Sequence, residues 1–172
     1  MLTALVLGGA ATVWDDAAAA LDMFDPGMVL AVNDIAARWT GQVDYLVTLH
    51  PEKLPMWQAQ RLRRGMNGPA TVAHEPPADV VMDYRFPGMN ASGSSGLFAV
   101  KVALEAGADR VVLAGVPMTP TPHFFDAGHW GERESFAGAW EIALPHIAGR
   151  VRSLSGWTRE LLGAPTPDWL GG

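Results

Sequence analysis

Two histidines and an aspartate share one short stretch, His123-Phe124-Phe125-Asp126-Ala127-Gly128-His129. Imidazole titrates near neutral pH, so it can take up or release a proton under ordinary conditions. Two imidazoles and a carboxylate at intervals of three can hold a metal or divide acid–base work. The interval is not the His-Glu-x-x-His of helical zinc hydrolases, and a loop does not by itself fix ligand geometry. An exposed loop with incidental histidines would have the same sequence. His123 and His129 are the candidate proton-transfer residues, with Trp130 beside them as a stacking surface. No metal site is predicted.

A second chemistry is anion binding. Ser94, Ser95 and Gly96 follow a small-residue loop and open an apolar segment reaching Gly107. The first N–H groups of a helix have no intrahelical acceptor, and the helix dipole favours negative charge there. Serine is equally an ordinary N-cap. Gly8, Gly9 and Thr12 lie in Gly8-Gly9-Ala10-Ala11-Thr12, directly after an apolar run. Glycine lets a ligand approach the backbone, and a tight turn requires it as well. Asn33 ends another apolar run, where its amide can bond a base or a ribose, or simply cap the next turn. Neither glycine stretch is Gly-x-Gly-x-x-Gly or a P-loop ending in Gly-Lys-Ser/Thr, so dinucleotide and P-loop chemistry are disfavoured. Arg61, Arg63 and Arg64 complement a helix C-terminus on a solvated face. Asp83, Tyr84 and Arg85 either border the cleft or form a structural ion pair. His50, His74 and His146 carry no assignment.

These residues need a frame to bring them together. Short apolar runs at Leu2–Leu7, Met28–Val32, Val43–Leu49, Ala70–His74, Val80–Met82, Arg110–Gly115 and Val151–Leu154 read as strands. Helical spacing connects them. Thr12 with Asp15 resembles a capping box before Trp14, Ala17, Ala18, Leu21 and Phe24. Lys53–Arg64 carries Pro55 in its first turn, where proline is tolerated. Phe136, Trp140, Ala143, Leu144 and Ile147 share one face of a late helix that Pro145 kinks or ends. Trp157–Leu162 is a last helix, and the tail from about 164 is irregular. Alternating helices and strands that are apolar on both sides predict one α/β domain over 1–172. It is a three-layer, Rossmann-like fold with a mostly parallel sheet and helices on both faces. Ligands of such sheets bind beyond the carboxyl ends of the strands, near a switch point.

Composition removes other classes. The 172 residues include 12 basic and 18 acidic side chains, for a net charge of −6, against a nucleic-acid partner. There is no cysteine, so disulfides and thiol chemistry are excluded. No apolar run reaches the roughly 18–20 residues of a membrane span. Met1–Gly9 lacks a basic leader segment and reads as a first strand. A cytoplasmic protein is the expectation.

The order of motifs adds a resemblance. A strand ending in a Gly-rich turn, a strand ending in Val32-Asn33, the Ser94-Ser95-Gly96 helix start and the strand Gly107-Ala108-Asp109-Arg110-Val111-Val112-Leu113-Ala114-Gly115 occur in sequence. The chain resembles the bacterial sialyltransferases that modify lipooligosaccharide and the related 6-hydroxymethylpterin diphosphokinase-like family of Rossmann-type proteins. The similarity runs in patches from Leu2 to about Pro165 and is most specific over Ser94–Gly115. Val151–Gly156 and Leu162–Pro165 also resemble the end of these domains. The sialyltransferase first turn, Gly-Asn-Gly-Pro-Ser, contacts the nucleotide, and Gly8–Thr12 stands in its place, with Gly8 and Thr12 alike in kind. Asn33 matches the family's asparagine after the second strand, and Ser94-Ser95-Gly96 matches its Thr-Ser-Gly. The family's Gly-Ile-Asp-Phe is replaced by Gly115-Val116-Pro117-Met118, which lacks the acid. The family's catalytic histidine lies in the following loop, which here holds His123 and His129. The resemblance implies a nucleotide or nucleotide-sugar ligand and transfer of a glycosyl or diphosphoryl group, with Mg²⁺ accompanying the nucleotide in the latter case. The alternative is a non-catalytic binding or assembly module on the same fold. Trp169 and Leu170 in the apolar tail suit a homo-oligomer contact in either case.

Overall fold

The computed structural model describes residues 1–126, 128 and 133–171; His129 and Trp130 lie outside them. Seven strands form one sheet: β1 (Thr3–Leu7), β2 (Met28–Val32), β3 (Tyr45–Val47), β4 (Ala70–Ala73), β5 (Val80–Val81), β6 (Arg110–Ala114) and β7 (Val151–Ser153). Their order is β5-β4-β3-β2-β1-β6-β7, and every pairing is parallel. Leu7 lies opposite Ala31 on one side and Ala114 on the other, so the ends of β1, β2 and β6 are level.

Among the described residues six helices accompany them: α1 (Val13–Met23), α2 (Leu54–Arg63), α3 (Ser94–Glu105), α4 (Arg133–Ile147), α5 (Gly156–Leu162) and α6 (Pro167–Leu170). Short 3-10 turns cover Asn33–Ala37 and Pro51–Lys53. Strand side chains alternate between two apolar layers. Ala4, Val6, Leu30, Val111 and Leu113 pack with α3, with Trp140 and Ile147 of α4, and with Leu162 of α5. Leu5, Leu7, Ala31, Val112 and Ala114 pack with Val13, Ala17 and Ala20 of α1 and with Leu54 and Trp57 of α2. This is the three-layer arrangement of helices on both faces.

Topology decides which face each helix takes. From β1 to β4 the chain moves outward along the sheet, and its crossovers lie on the α1–α2 face. The α3 crossover then returns from β5 at the edge to β6 beside β1, on the opposite face. Parallel crossovers keep one hand, so a reversal of direction puts the helix on the other side. The reversal leaves a crevice between the carboxyl ends of β1 and β6, the switch point.

Several local expectations are corrected. Thr12 precedes α1 in helical backbone (φ −69°, ψ −10°) and makes no side-chain cap. A capping side chain needs extended backbone, and Thr12 Oγ1 instead lies 3.3 Å from Ser155 Oγ. Pro145 does not break α4, which runs on to Ile147. Only two helical residues follow it, and Trp140, Ala143 and Ile147 are fully buried, so packing outweighs one lost backbone bond. The tail is ordered rather than irregular: Thr166 accepts the Trp169 N–H and Pro167 begins α6. Trp169 donates its indole N–H to the Gly149 carbonyl at 2.8 Å and lies under the Arg110 and Arg152 guanidinium groups. Trp169 and Leu170 thus pack against the chain's own second apolar layer.

Arg61 is the largest departure. It is fully buried. Its guanidinium donates to the carbonyls of Ala36, Trp39, Gly41 and Asn67 and to Asn67 Oδ1. Burial lowers its pKa from the ordinary arginine range. It ties the segment after β2 to α2. Arg64 and Arg63 keep the exposed face, and Arg64 donates to the Ala37 carbonyl.

Candidate functional site

A cleft of about 630 Å³ opens at the switch point, a size typical of small-molecule sites. Its lining comes from four strand ends and one helix start: Gly8–Ala10, Val32–Asp34, Leu49–His50, Gly115–Met118 and Ser94–Gly96, with Lys53, Trp57, His123 and Phe125. Gly8, Gly9, Asn33, Ser94, Ser95, Gly96 and His123 therefore come together. Thr12 does not line the cleft; it faces Ser155 behind it.

The first turn is largely closed on itself. The Gly8 N–H donates to Ala114 O at 2.8 Å, Ala10 to Gly115 O at 3.1 Å and Ala11 to Pro122 O at 2.8 Å. Gly8 is glycine for a steric reason, because a Cβ there would overlap the Gly115 carbonyl oxygen. These N–H groups join the turn to the end of β6 and to the loop at Pro122. Gly9 is less crowded. A Cβ at Gly9 would lie 3.3 Å from His123 Cδ2 and 3.9 Å from Asp34 Oδ1.

Asn33 adopts φ +60°, a left-handed conformation that asparagine tolerates better than most residues. Its Oδ1 accepts the Thr48 hydroxyl at 2.7 Å, and Thr48 Oγ1 in turn accepts the His50 N–H at 2.8 Å. The bond fixes the Asn33 amide and leaves its Nδ2 hydrogens without a partner among the described residues. Ser95 is buried, and its Oγ accepts the Leu49 N–H at 3.1 Å, which braces α3 against the end of β3. Its hydroxyl hydrogen is still available to a ligand. Ser94 adopts φ +81°, and its N–H bonds Ser92 Oγ at 3.0 Å. A Cβ at Gly96 would meet Val116 Cγ1 at 2.9 Å, so this glycine serves close packing of α3 on the end of β6. The N-cap residue, Gly93, has no side chain and the first turn has no acid, so apart from Ser92 Oγ on the Ser94 N–H no side chain offsets the positive end of α3.

His123 reaches the cleft because its loop is held by the first turn. Ala10 and His123 form an isolated antiparallel bridge, and the Phe124 N–H donates to Gly9 O at 3.0 Å. Phe125 stacks on the imidazole at 5.2 Å between centroids and is 58% exposed. Asp126 is exposed and takes the Gly128 N–H at 3.0 Å, so it does not join His123. His129, the other candidate base, lies outside the described residues. Among the described residues no three His, Asp or Glu side chains cluster as metal ligands.

Four residues of the site escaped the sequence. Asp34 is half-buried in the cleft, and burial raises its carboxyl above the ordinary 3.8; its own N–H, His123, Lys53 and Arg38 oppose that rise. It puts a carboxylate into a cleft whose later strand end, at Pro117, lacks one. His50 and Lys53 add cationic capacity after β3. Asp16 is buried below, accepting the Gly115 N–H at 2.8 Å and the Ser155 hydroxyl at 2.6 Å. It locks the end of β6 to α1. Adjacent helical residues gave no signal that Asp16 turns inward while Asp15 stays exposed. Asp83 and Arg85 lie away from the cleft; Arg85 holds the Asp83 carboxyl down to about 2.

No helix among the described residues is long and apolar enough to cross a membrane. Comparison with protein families, with curated proteins and with solved structures finds no match to this chain.

Proposed function

We propose that the protein binds a nucleotide or nucleotide-sugar in the cleft at the switch point. The observation that carries this is the convergence of the acid-free α3 start, Lys53 and Asn33 on one cleft of about 630 Å³. The α3 first-turn N–H groups beyond Ser94 and the Lys53 ammonium supply charge and donors for phosphate. Asn33, held by Thr48, offers its amide hydrogens to the nucleoside. Phe125 and His123 offer a planar face. A Mg²⁺ accompanying such a ligand would be held chiefly by the nucleotide's own phosphates.

A transferase is the second reading, favoured by His123 and Asp34 flanking Gly9. In it His123 takes the proton of an acceptor hydroxyl as the glycosyl or diphosphoryl group moves to that oxygen and the nucleotide leaves. The first reading stands without this step.

Thermal unfolding with CMP, CMP-sialic acid, ATP and GTP, each with and without Mg²⁺, tests the binding. A ligand at a hundred times its dissociation constant stabilises by about 2.7 kcal/mol. A raised midpoint with one of them, lost in Lys53→Ala, supports the reading; no shift with any of them removes it.

A further inference from the structure

Helix α1 is apolar on two sides. Val13, Ala17 and Ala20 pack toward the sheet. Trp14, Ala18 and Leu21 stand at intervals of four and three, so they form a second stripe, and all three are exposed. Trp14 is 43% exposed and Leu21 47%. A surface helix normally gives its outer side to polar residues. Exposed apolar area with a polar rim marks an interaction surface.

The aromatic end of the stripe is held from behind. Trp14 stacks on Trp39 at 6.3 Å between ring centroids and meets Phe124 edge-on at 6.0 Å. The Trp39 carbonyl accepts the buried Arg61 guanidinium at 2.7 Å. The Phe124 N–H donates to Gly9 O at 3.0 Å. Trp14 is therefore a large aromatic anchor on a fixed support, the kind of group that carries binding energy at interfaces.

Shape and charge specify the occupant. Trp14 and Leu21 are about 10 Å apart along the helix axis. Ala18 leaves a gap between them that accepts a large side chain from a helix packed alongside. Asp15 and Asp22 are exposed on one flank of the stripe, two turns apart, and α1 has no basic residue. Arg38, next to Trp39, offsets part of that charge at one end. Two copies joined through this face would set acid against acid in a chain of net charge −6. An anionic membrane surface is repelled for the same reason.

We propose that the outer face of α1 docks an amphipathic helix of another protein. Its apolar side places one large side chain over Ala18, and its Lys or Arg residues, two turns apart, face Asp15 and Asp22.

The test is fluorescence anisotropy of a labelled synthetic amphipathic helix of leucine and lysine, beside its leucine–glutamate counterpart. The lysine peptide is expected to bind saturably and the glutamate peptide not to bind. Trp14→Ala is expected to weaken binding about tenfold. Should Trp14→Ala not fold, Ala18→Phe fills the gap at an exposed position and is expected to weaken binding as much. Asp15→Lys combined with Asp22→Lys is expected to reverse the preference toward the glutamate peptide. No binding, equal binding of the two peptides, or unchanged affinity in either folded variant overturns the proposal. A dimer of the chain alone that Ala18→Phe dissociates, or binding to phosphatidylglycerol vesicles that Ala18→Phe abolishes, overturns it as well, because either one assigns the face to a different occupant.

Discussion

The Thr48 hydroxyl donates to Asn33 Oδ1 at 2.7 Å while its own oxygen accepts the His50 N–H. Thr48 is fully buried beyond β3, and Asn33 is the first residue beyond β2. One hydroxyl therefore sets the side chain at the end of one strand and the backbone at the end of the next. Thr48→Val keeps the volume and removes both bonds. A buried hydrogen bond is worth about 1 kcal/mol, so denaturant unfolding should show a loss of about 1–3 kcal/mol. Nucleotide affinity should fall as well, because the Asn33 amide is no longer held. Unchanged affinity with reduced stability would confine Thr48 to a structural role.

Adjacent glycines of the first turn should respond oppositely to the same substitution. Gly8→Ala drives a methyl into the Gly115 carbonyl at the junction of β1 and β6. Overpacking there should cost about 1–3 kcal/mol or more and lower the thermal midpoint. Gly9→Ala meets His123 Cδ2 at 3.3 Å and the edge of the open cleft. It should leave stability nearly unchanged and weaken ligand binding by narrowing the gap between His123 and Asp34. Thermal unfolding and ligand titration on the two variants separate these effects.

Arg61 should be among the costliest residues to change, although it touches no ligand. Arg61→Leu leaves the carbonyls of Ala36, Trp39, Gly41 and Asn67 without that donor. Each unsatisfied buried acceptor costs roughly 1–3 kcal/mol, so a loss of about 3 kcal/mol or more is expected in denaturant unfolding. Arg61→Lys should recover only part of it, since an ammonium cannot span the same fork of acceptors. A loss below about 1 kcal/mol in Arg61→Leu would contradict the clamp.

Asp34 gives a pH dependence with a defined sign. Burial raises its folded-state pKa above 3.8, so the folded chain holds the proton more tightly than the unfolded chain. The ionised group therefore opposes folding. Its cost is absent below about pH 3.8, grows as pH rises through the raised value and is complete above it. Asp34→Asn should raise the thermal midpoint at pH 7, and the difference should close below pH 3.8. A midpoint lowered at pH 7 would show that Asp34 is stabilised by partners rather than strained by burial.

The layer architecture was legible because strands buried on both faces have apolar runs whatever their neighbours, and glycine or asparagine marks their ends. Gly8, Gly9, Asn33 and Ser94–Gly96 were legible as strand ends and a helix start, and the sheet brings those points together. The bonding of each was not legible. Gly8 and Gly96 carry the same glycine whether the reason is a ligand or a close backbone approach, and here Gly115 and Val116 supply steric reasons. Arg61 has the same local sequence context as exposed Arg63, and only the turn of the helix sends one inward. Asp34 lies in the field of His123, 89 positions further along the chain, which no local pattern encodes. In Thr166-Pro167-Asp168 the cap and first-turn proline of α6 were present in plain form, obscured by the neighbouring Pro165.

A nucleotide held by the cleft would meet Asn33, Lys53 and the α3 start. Calorimetric titration of the purified protein and of Asn33→Ala with CMP, CMP-sialic acid, ATP and GTP tests it most directly. Saturable one-site binding is expected for at least one of them, weakened by about tenfold in Asn33→Ala, the size of one lost polar contact. No binding by any of the four, or binding of equal strength in Asn33→Ala, would contradict it.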